Sequence, residues 1–196
     1  MMKTFLLLLI LSPLSIVTYG QLSKNTWLIG GAGSLYTYTE TYNTSSANYT
    51  AKYTNIDITA SVGYFFMDKL AGGLRPTFSS IKGSSSGVGS TNSYRLAIGP
   101  FVRYYFLDEE KSFNLLADIC YQAGINNWKD GYPAKGKYNT FYLQAGAEFF
   151  FNSSVGLEFL IGYKSQTASI DNSPSAYNRD LKGLQTSIGL QFHLAK

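Results

Sequence analysis

The sequence predicts an all-β fold, an eight-stranded antiparallel up-and-down barrel behind an N-terminal signal peptide. Three observations predict it. Apolar and polar residues alternate with period two over eight segments, and helical periodicity is hard to find. Long polar connections alternate with tight ones along the whole chain. Charged residues within the segments keep to one face, opposite a face that is almost wholly apolar.

The front end supplies the compartment. Met1-Met2-Lys3 is a short positive region, Phe5 to Val17 an apolar run interrupted by Pro13, and Thr18-Tyr19-Gly20 has small residues at its first and third places. This pattern predicts a secretory signal peptide over 1–20 and a barrel domain over 21–196. The run is too short for a membrane-spanning helix, and nothing after Gln21 approaches the roughly 20 apolar residues that one needs. No cysteine follows the run to accept a lipid. The single cysteine, Cys120, cannot form an internal disulfide, so an exported chain of this size must hold together by other means. A net charge of +4 is too small and too scattered along the chain to suggest nucleic-acid binding.

The elements follow in order. Residues 26–39 (TWLIGGAGSLYTYT) form a first strand whose faces stay open, because the glycines at 30–33 blur them; these glycines ease curvature or crowding. In the second, Ile56, Ile58, Val62 and Phe66 oppose Asp57, Thr59, Ser61 and Phe65. The third, 70–79, carries Arg75 and Pro76. In the fourth, Leu96, Ile98, Val102 and Tyr104 oppose Arg95, Gly99, Phe101 and Arg103, with Pro100 on the apolar side. The fifth sets Phe113, Leu115 and Ile119 against Asn114, Asp118 and Cys120. The sixth sets Phe141, Leu143 and Phe149 against Tyr142, Gln144 and Glu148, and the seventh Leu157, Phe159 and Ile161 against Glu158 and Lys164. In the eighth, Leu184, Ile188, Leu190, Phe192 and Leu194 oppose Gln185, Ser187, Gln191 and His193. Proline removes a ladder donor, and a closed barrel has no edge strand, so Pro76 and Pro100 predict bulges or strand ends.

Three connections are tight: Met67–Lys69, Leu107–Ser112 and Asn152–Ser154. Four are long and polar, at about 40–53, 80–92, 125–138 and 165–180. All long loops therefore fall at one end, and all tight turns and both termini at the other.

A closed antiparallel barrel comes in two inverted kinds, apolar inside around a ligand or apolar outside against lipid. The polar faces carry Asp57, Arg75, Arg95, Arg103, Asp118, Glu148, Glu158 and Lys164, four of each sign. In a water-soluble, lipocalin-like barrel these would be solvated outer residues. Export without a disulfide, one-sided loops, and aromatic clusters at strand ends (Phe65-Phe66, Tyr104-Tyr105-Phe106, Phe149-Phe150-Phe151) favour the other kind. The expectation is a transmembrane β-barrel of a Gram-negative-type outer membrane, with extracellular loops and periplasmic turns and termini. Strands cross a bilayer only when every backbone group is paired in a closed sheet.

The chain ends SIGLQFHL, Ser187 to Leu194, an alternating strand. Ser187, Gly189, Phe192 and Leu194 occupy the four defined places of a motif that resembles the C-terminal insertion signal of outer-membrane barrels. The two residues that follow, Ala195 and Lys196, depart from the members that stop on the aromatic. From 21 to 196 the chain resembles the small outer-membrane barrels of the OmpA/OmpX type. That resemblance implies reading of the signal by the barrel assembly machinery, and it specifies fold better than activity.

Some barrels of this size modify lipid A with a histidine, a serine and an acidic partner near the outer leaflet. Here the sole histidine, His193, falls at the turn end and by parity faces the lumen, which disfavours that enzyme. No cluster has metal-ligand spacing and no cofactor is implied. An eight-stranded barrel is just wide enough for side chains to fill it. The expectation is a lumen plugged by Arg75, Arg95 and Arg103 interlocked with Asp118, Glu148 and Glu158, in a monomer acting through its loops and lipid contacts. The alternative is a narrow passive pore lined by the same charges. Loop cations Lys52, Lys82, Lys129, Lys135 and Lys137, against Asp108, Glu109 and Glu110 in a turn, read first as solvated surface, and their modest excess at the loop end would also suit lipopolysaccharide phosphates. Trp128, Tyr132 and Tyr138 in the third loop read as interfacial anchors, the alternative being a contact surface. No external ligand is legible.

Overall fold

The computed structural model describes residues 22–43, 48–85, 89–108, 111–128, 135–170 and 178–195. The predicted signal peptide lies outside them, as do Glu109, Glu110, Lys129 and Tyr132. Eight strands follow in order: β1 Trp27–Asn43, β2 Asn48–Met67, β3 Leu70–Ser85, β4 Gly89–Tyr105, β5 Phe113–Trp128, β6 Lys135–Phe150, β7 Val155–Ile170 and β8 Asn178–Leu194. Each pairs antiparallel with its neighbour in sequence, and β8 returns to β1, so the sheet is a closed barrel.

Alternation sets the two faces. Ile58, Leu74, Leu96, Ile98, Leu143 and Ile161 point outward, each more than half exposed. Together with their neighbours they make an apolar exterior far larger than the isolated patches a water-soluble monomer shows. At the turn end the belt is aromatic: Trp27 meets Tyr64, Tyr104 meets Phe106, and Phe113 stacks on Phe149 with centroids 6.1 Å apart. Such a girdle belongs where hydrocarbon gives way to headgroups.

Two expectations about the strands need correction. The long loops are much shorter than their polarity predicts. Pairing runs out to Asn43↔Asn48, Ser85↔Gly89, Asn127↔Lys135 and Ser169↔Asn178, so most of 40–53, 80–92, 125–138 and 165–180 is strand. The residues between those ends are outside the described ones. Strands of 16 to 20 residues exceed the roughly 9–11 that cross a bilayer, so the ladder continues past the apolar belt. There both faces are polar and hydrophobic alternation disappears, while backbone pairing, favoured by Thr and Tyr, does not.

The prolines produce neither bulges nor strand ends. Pro76 pairs with Ile98 and Pro100 with Leu74, in register, along the β3–β4 ladder. On the outer sides the pairing lapses between Thr59↔Thr77 and Val62↔Leu74, and between Ile98↔Ala123 and Phe101↔Cys120, without a change of register. Each missing donor falls where a ladder is interrupted. The one register shift there lies instead in β2, between Phe65 and Met67. Beside the β4–β5 lapse, a Cβ on Gly99 would collide with the Tyr121 carbonyl and the Gln122 Cα. That bare backbone lets the Gln122 side chain pass over β4, where its Nε2 donates to the Arg75 carbonyl at 2.8 Å and to Thr77 Oγ1 at 2.9 Å. At positions 30–33, crowding is the relevant reason for Gly30, whose Cβ would strike the Gln191 side chain.

The turn end is stitched shut. Residues 22–26 fold under the barrel: Asn25 N donates to the Phe65 carbonyl at 2.8 Å, Phe65 N to the Thr26 carbonyl at 2.9 Å, and Lys69 N to the Leu22 carbonyl at 2.7 Å. Lys69, at a φ of 65°, makes the tight β2–β3 turn and sends its ammonium 2.8 Å from Asp108 on the next turn. Asn152 caps the β6–β7 turn, its Oδ1 accepting from Ser154 N and Val155 N. The closing seam is the short one: β1 and β8 pair only from Trp27↔Leu194 to Gly33↔Ile188, whereas β1 and β2 pair along their full length.

Candidate functional site

Alternation delivers all eight predicted charged residues into the lumen of the barrel. Asp57, Arg75, Arg95, Arg103, Asp118, Glu148 and Glu158 are buried there, and the Lys164 side chain is 15% exposed. Their heights differ, and height decides the partners.

In the turn half, Arg103 on β4 and Asp118 on β5 are register neighbours, and Arg103 Nε donates to Asp118 Oδ2 at 3.1 Å. Arg75, from β3, forks onto the same carboxylate, with Nη1 2.6 Å from Oδ1 and Nη2 2.7 Å from Oδ2. Its guanidinium lies 4.4 Å from the Phe101 ring centroid, and its Nε donates to Ser61 Oγ. Arg103 also reaches across the lumen to β7, where Nη1 lies 2.5 Å from Glu158 Oε2. Charge-assisted, bidentate geometry of this kind gives the strongest hydrogen bonds a protein makes.

Glu158 and Glu148 are themselves register neighbours on β7 and β6, two like charges side by side. Different groups hold them apart. Arg103 takes Glu158; Glu148 receives the Tyr105 hydroxyl at 2.6 Å and the His193 ring, whose Nε2 lies 2.8 Å from Oε1. A carboxylate only accepts, so His193 Nε2 carries the proton in this contact. Phe65, Tyr105 and Phe150 surround the imidazole. Below them Leu22, Leu28, Phe65, Ala71, Tyr105 and Leu116 form an apolar plug, none more than 1% exposed.

The loop half is sparser. Lys164 Nζ lies 3.4 Å from Asp57 Oδ2, and Asn55 Nδ2 donates to Asp57 Oδ1 at 3.1 Å. Arg95 meets no carboxylate among the described residues. Its Nη1 reaches Gln166 Oε1 at 3.4 Å and its guanidinium lies 5.7 Å from the Tyr138 centroid. Between the halves is a cavity of about 40 Å³ bordered by Asp57, Arg75, Arg103, Gln122, Gln144 and Glu158. That is room for on the order of two or three waters.

The predicted interlocking of three arginines with three acids is thus met by Arg75 and Arg103 with Asp118 and Glu158. Arg95 stands too far toward the loops to take part, and Glu148 is held by histidine and tyrosine. Tyr138 is no interfacial anchor: it lies on β6, buried in the lumen beside Arg95. Trp128 ends β5. Lys52, Lys82 and Lys137 are exposed on the outer face near the loop end, joined by Lys182. Ser187 and Gly189 face inward on β8, while Phe192 and Leu194 are exposed on the outer wall, at the seam with β1. Tyr105, Gln122 and Leu22 are working parts that the charge pattern missed. Parity with Arg103 and with Asp118 puts the first two on the lumen face; Leu22 lies outside any strand and carries no periodic signal. Among the described residues no group of three or more His, Cys, Asp or Glu is placed to hold a metal ion.

No protein-family model and no curated protein sequence matches the chain. Solved structures do. Outer membrane protein OprG from Pseudomonas aeruginosa is 15% identical over 90% of this chain and 99% of that one, with a TM-score of 0.57. Neisserial surface protein A is 14% identical over 85% of this chain and 96% of that one, with a TM-score of 0.53. Likeness at such identity is likeness of fold. With a closed eight-stranded sheet, an apolar exterior and an ionised interior, this chain has the fold of the small outer-membrane β-barrels.

Proposed function

We propose that the protein is a non-enzymatic, monomeric outer-membrane barrel whose lumen is closed to steady ion flow and whose work is structural or interactive. Loops face outward, turns and termini face the periplasm, and the barrel assembly machinery inserts it through the Ser187–Leu194 strand. The observation that carries the closed lumen is the layered turn half. A buried ion-pair network rests on an apolar plug that includes Leu22 from the segment before β1. Hydrated ions have no path there, because an ion stripped of water in a dry constriction is strongly disfavoured. The exposed lysines Lys52, Lys82, Lys137 and Lys182 support contact with lipopolysaccharide phosphates at the outer rim. Enclosure of His193 with Glu148 and Tyr105, at the end away from the loops, supports the non-enzymatic reading.

The second reading, a narrow passive pore, draws on the cavity of about 40 Å³ midway along the lumen. It requires the Leu22 segment to leave. Single-channel recording of the purified protein in planar bilayers separates the two. The closed reading expects no stable conductance; steady, reproducible openings overturn it in favour of the pore. Unchanged lipid A on overproduction is the expected result for the non-enzymatic assignment.

A further inference from the structure

Arg95 is an anomaly in a lumen where the other described cations have a carboxylate. It is 9% exposed, and the described acid that faces the lumen in its half, Asp57, is already held by Lys164 and Asn55. A buried guanidinium without a counter-charge is costly. Arg95 is the register neighbour of Asn126 on β5, and Thr140 on β6 is the register neighbour of Gln166 on β7. The guanidinium reaches Gln166 and passes near Tyr138, which brings the two pairs to one place on four consecutive strands.

Those side chains are at least nine-tenths buried, yet several polar atoms have no partner among the described residues: Arg95 Nε, Asn126 Nδ2 and Oδ1, Thr140 Oγ1 and Gln166 Nε2. In native proteins such groups are paired almost without exception. Donors outnumber acceptors here: a guanidinium N–H, two amide NH₂ groups and a hydroxyl stand against one amide oxygen. Charge agrees with this. The described lumen side chains of the loop half carry Arg95 and Lys164 against Asp57, one positive charge in excess.

We propose that Arg95, Asn126, Thr140 and Gln166 form a binding site for one small oxyanion, a carboxylate or phosphate group, reached from the loop end of the lumen. Arg95 supplies the counter-charge, the amides and hydroxyl complete the donor set, and the Tyr138 ring backs the guanidinium. The site does not depend on the turn half being closed, so the conductance result leaves it standing or falling on its own evidence.

The test is solution NMR of the refolded protein in detergent micelles, following the side-chain amide signals of Asn126 and Gln166. Inorganic phosphate and sodium acetate are titrated separately at constant ionic strength. Saturable shifts of both signals with at least one anion are expected, weakened about tenfold or more in R95Q, the range set by a hydrogen bond to a charged group. Response to phosphate, acetate or both identifies which oxyanion the site takes. Absence of saturable shifts with either anion, or shifts that persist unchanged in R95Q, overturns the proposal. Folding of R95Q is checked by its heat-dependent gel mobility; if it does not fold, Q166L takes its place, read at the Asn126 signal with the same two outcomes.

Discussion

The two halves of the lumen use the same residue types to opposite ends. In the turn half, two arginines and a histidine meet three carboxylates at 2.5 to 3.1 Å, over an apolar floor. In the loop half, Lys164 and Arg95 make their contacts at 3.4 Å, and Arg95 Nε has no partner among the described residues. Both halves are lined by charge and the charged side chains of both are largely buried, so neither polarity nor burial separates them. What separates them is whether every ion meets a counter-charge among the described residues: in the turn half each does, and in the loop half Arg95 does not.

The comparison breaks most easily at Asp118, which serves two arginines. Asp118→Ala leaves both guanidiniums buried without it, and a loss of about 3–5 kcal/mol is expected from urea unfolding in lipid vesicles. A loss below about 1 kcal/mol would mean that the turn half is no tighter than the rest. Glu148→Gln keeps the shape but gives up charge-assisted bonds to Tyr105 and His193, with an expected cost of about 1.5–3 kcal/mol. Asp57→Asn should cost only about 1 kcal/mol, because Lys164 sits farther off and its side chain is partly exposed. An Asp57 effect as large as that of Asp118 would erase the distinction between halves.

The smallest effect is outside the lumen. The Lys69 ammonium, by its hydrogen bond and then by its charge, holds the Asp108 carboxyl below the ordinary carboxylate range. Its contribution is therefore present above the unfolded-state value and lost as pH falls through the lower folded one. Asp108 is fully exposed, so salt screens the pair. Comparing wild type with Asp108→Asn at neutral and acidic pH in low salt should give a barely resolved difference that vanishes in 1 M salt.

Much of this was legible in the sequence, for one physical reason. Strand side chains alternate faces, so period two assigned each charge to the lumen before its neighbours were known. Parity says nothing of height. Arg95 and Arg103 lie eight residues apart on β4, roughly 27 Å at ~3.4 Å per residue, so a single layer of acids could never have reached both. Asp118, Glu148 and Glu158 all lie near the turn ends of β5, β6 and β7, which favours Arg103 over Arg95. The strand ends beyond the apolar belt were hidden because hydrophobicity stops alternating where both faces meet water. Leu22 was hidden because one residue of a segment before the first strand has no period to read.

The brief β1–β8 seam carries a last implication. A ring fails at its weakest link, and here seven rungs, Trp27 to Gly33 against Leu194 to Ile188, hold together what longer ladders, of eleven pairs or more, hold elsewhere. Amide hydrogens along that joint should exchange with deuterium sooner than those facing β1 on β2. A tip pulling on either terminus should unzip the cylinder there before any hairpin gives way.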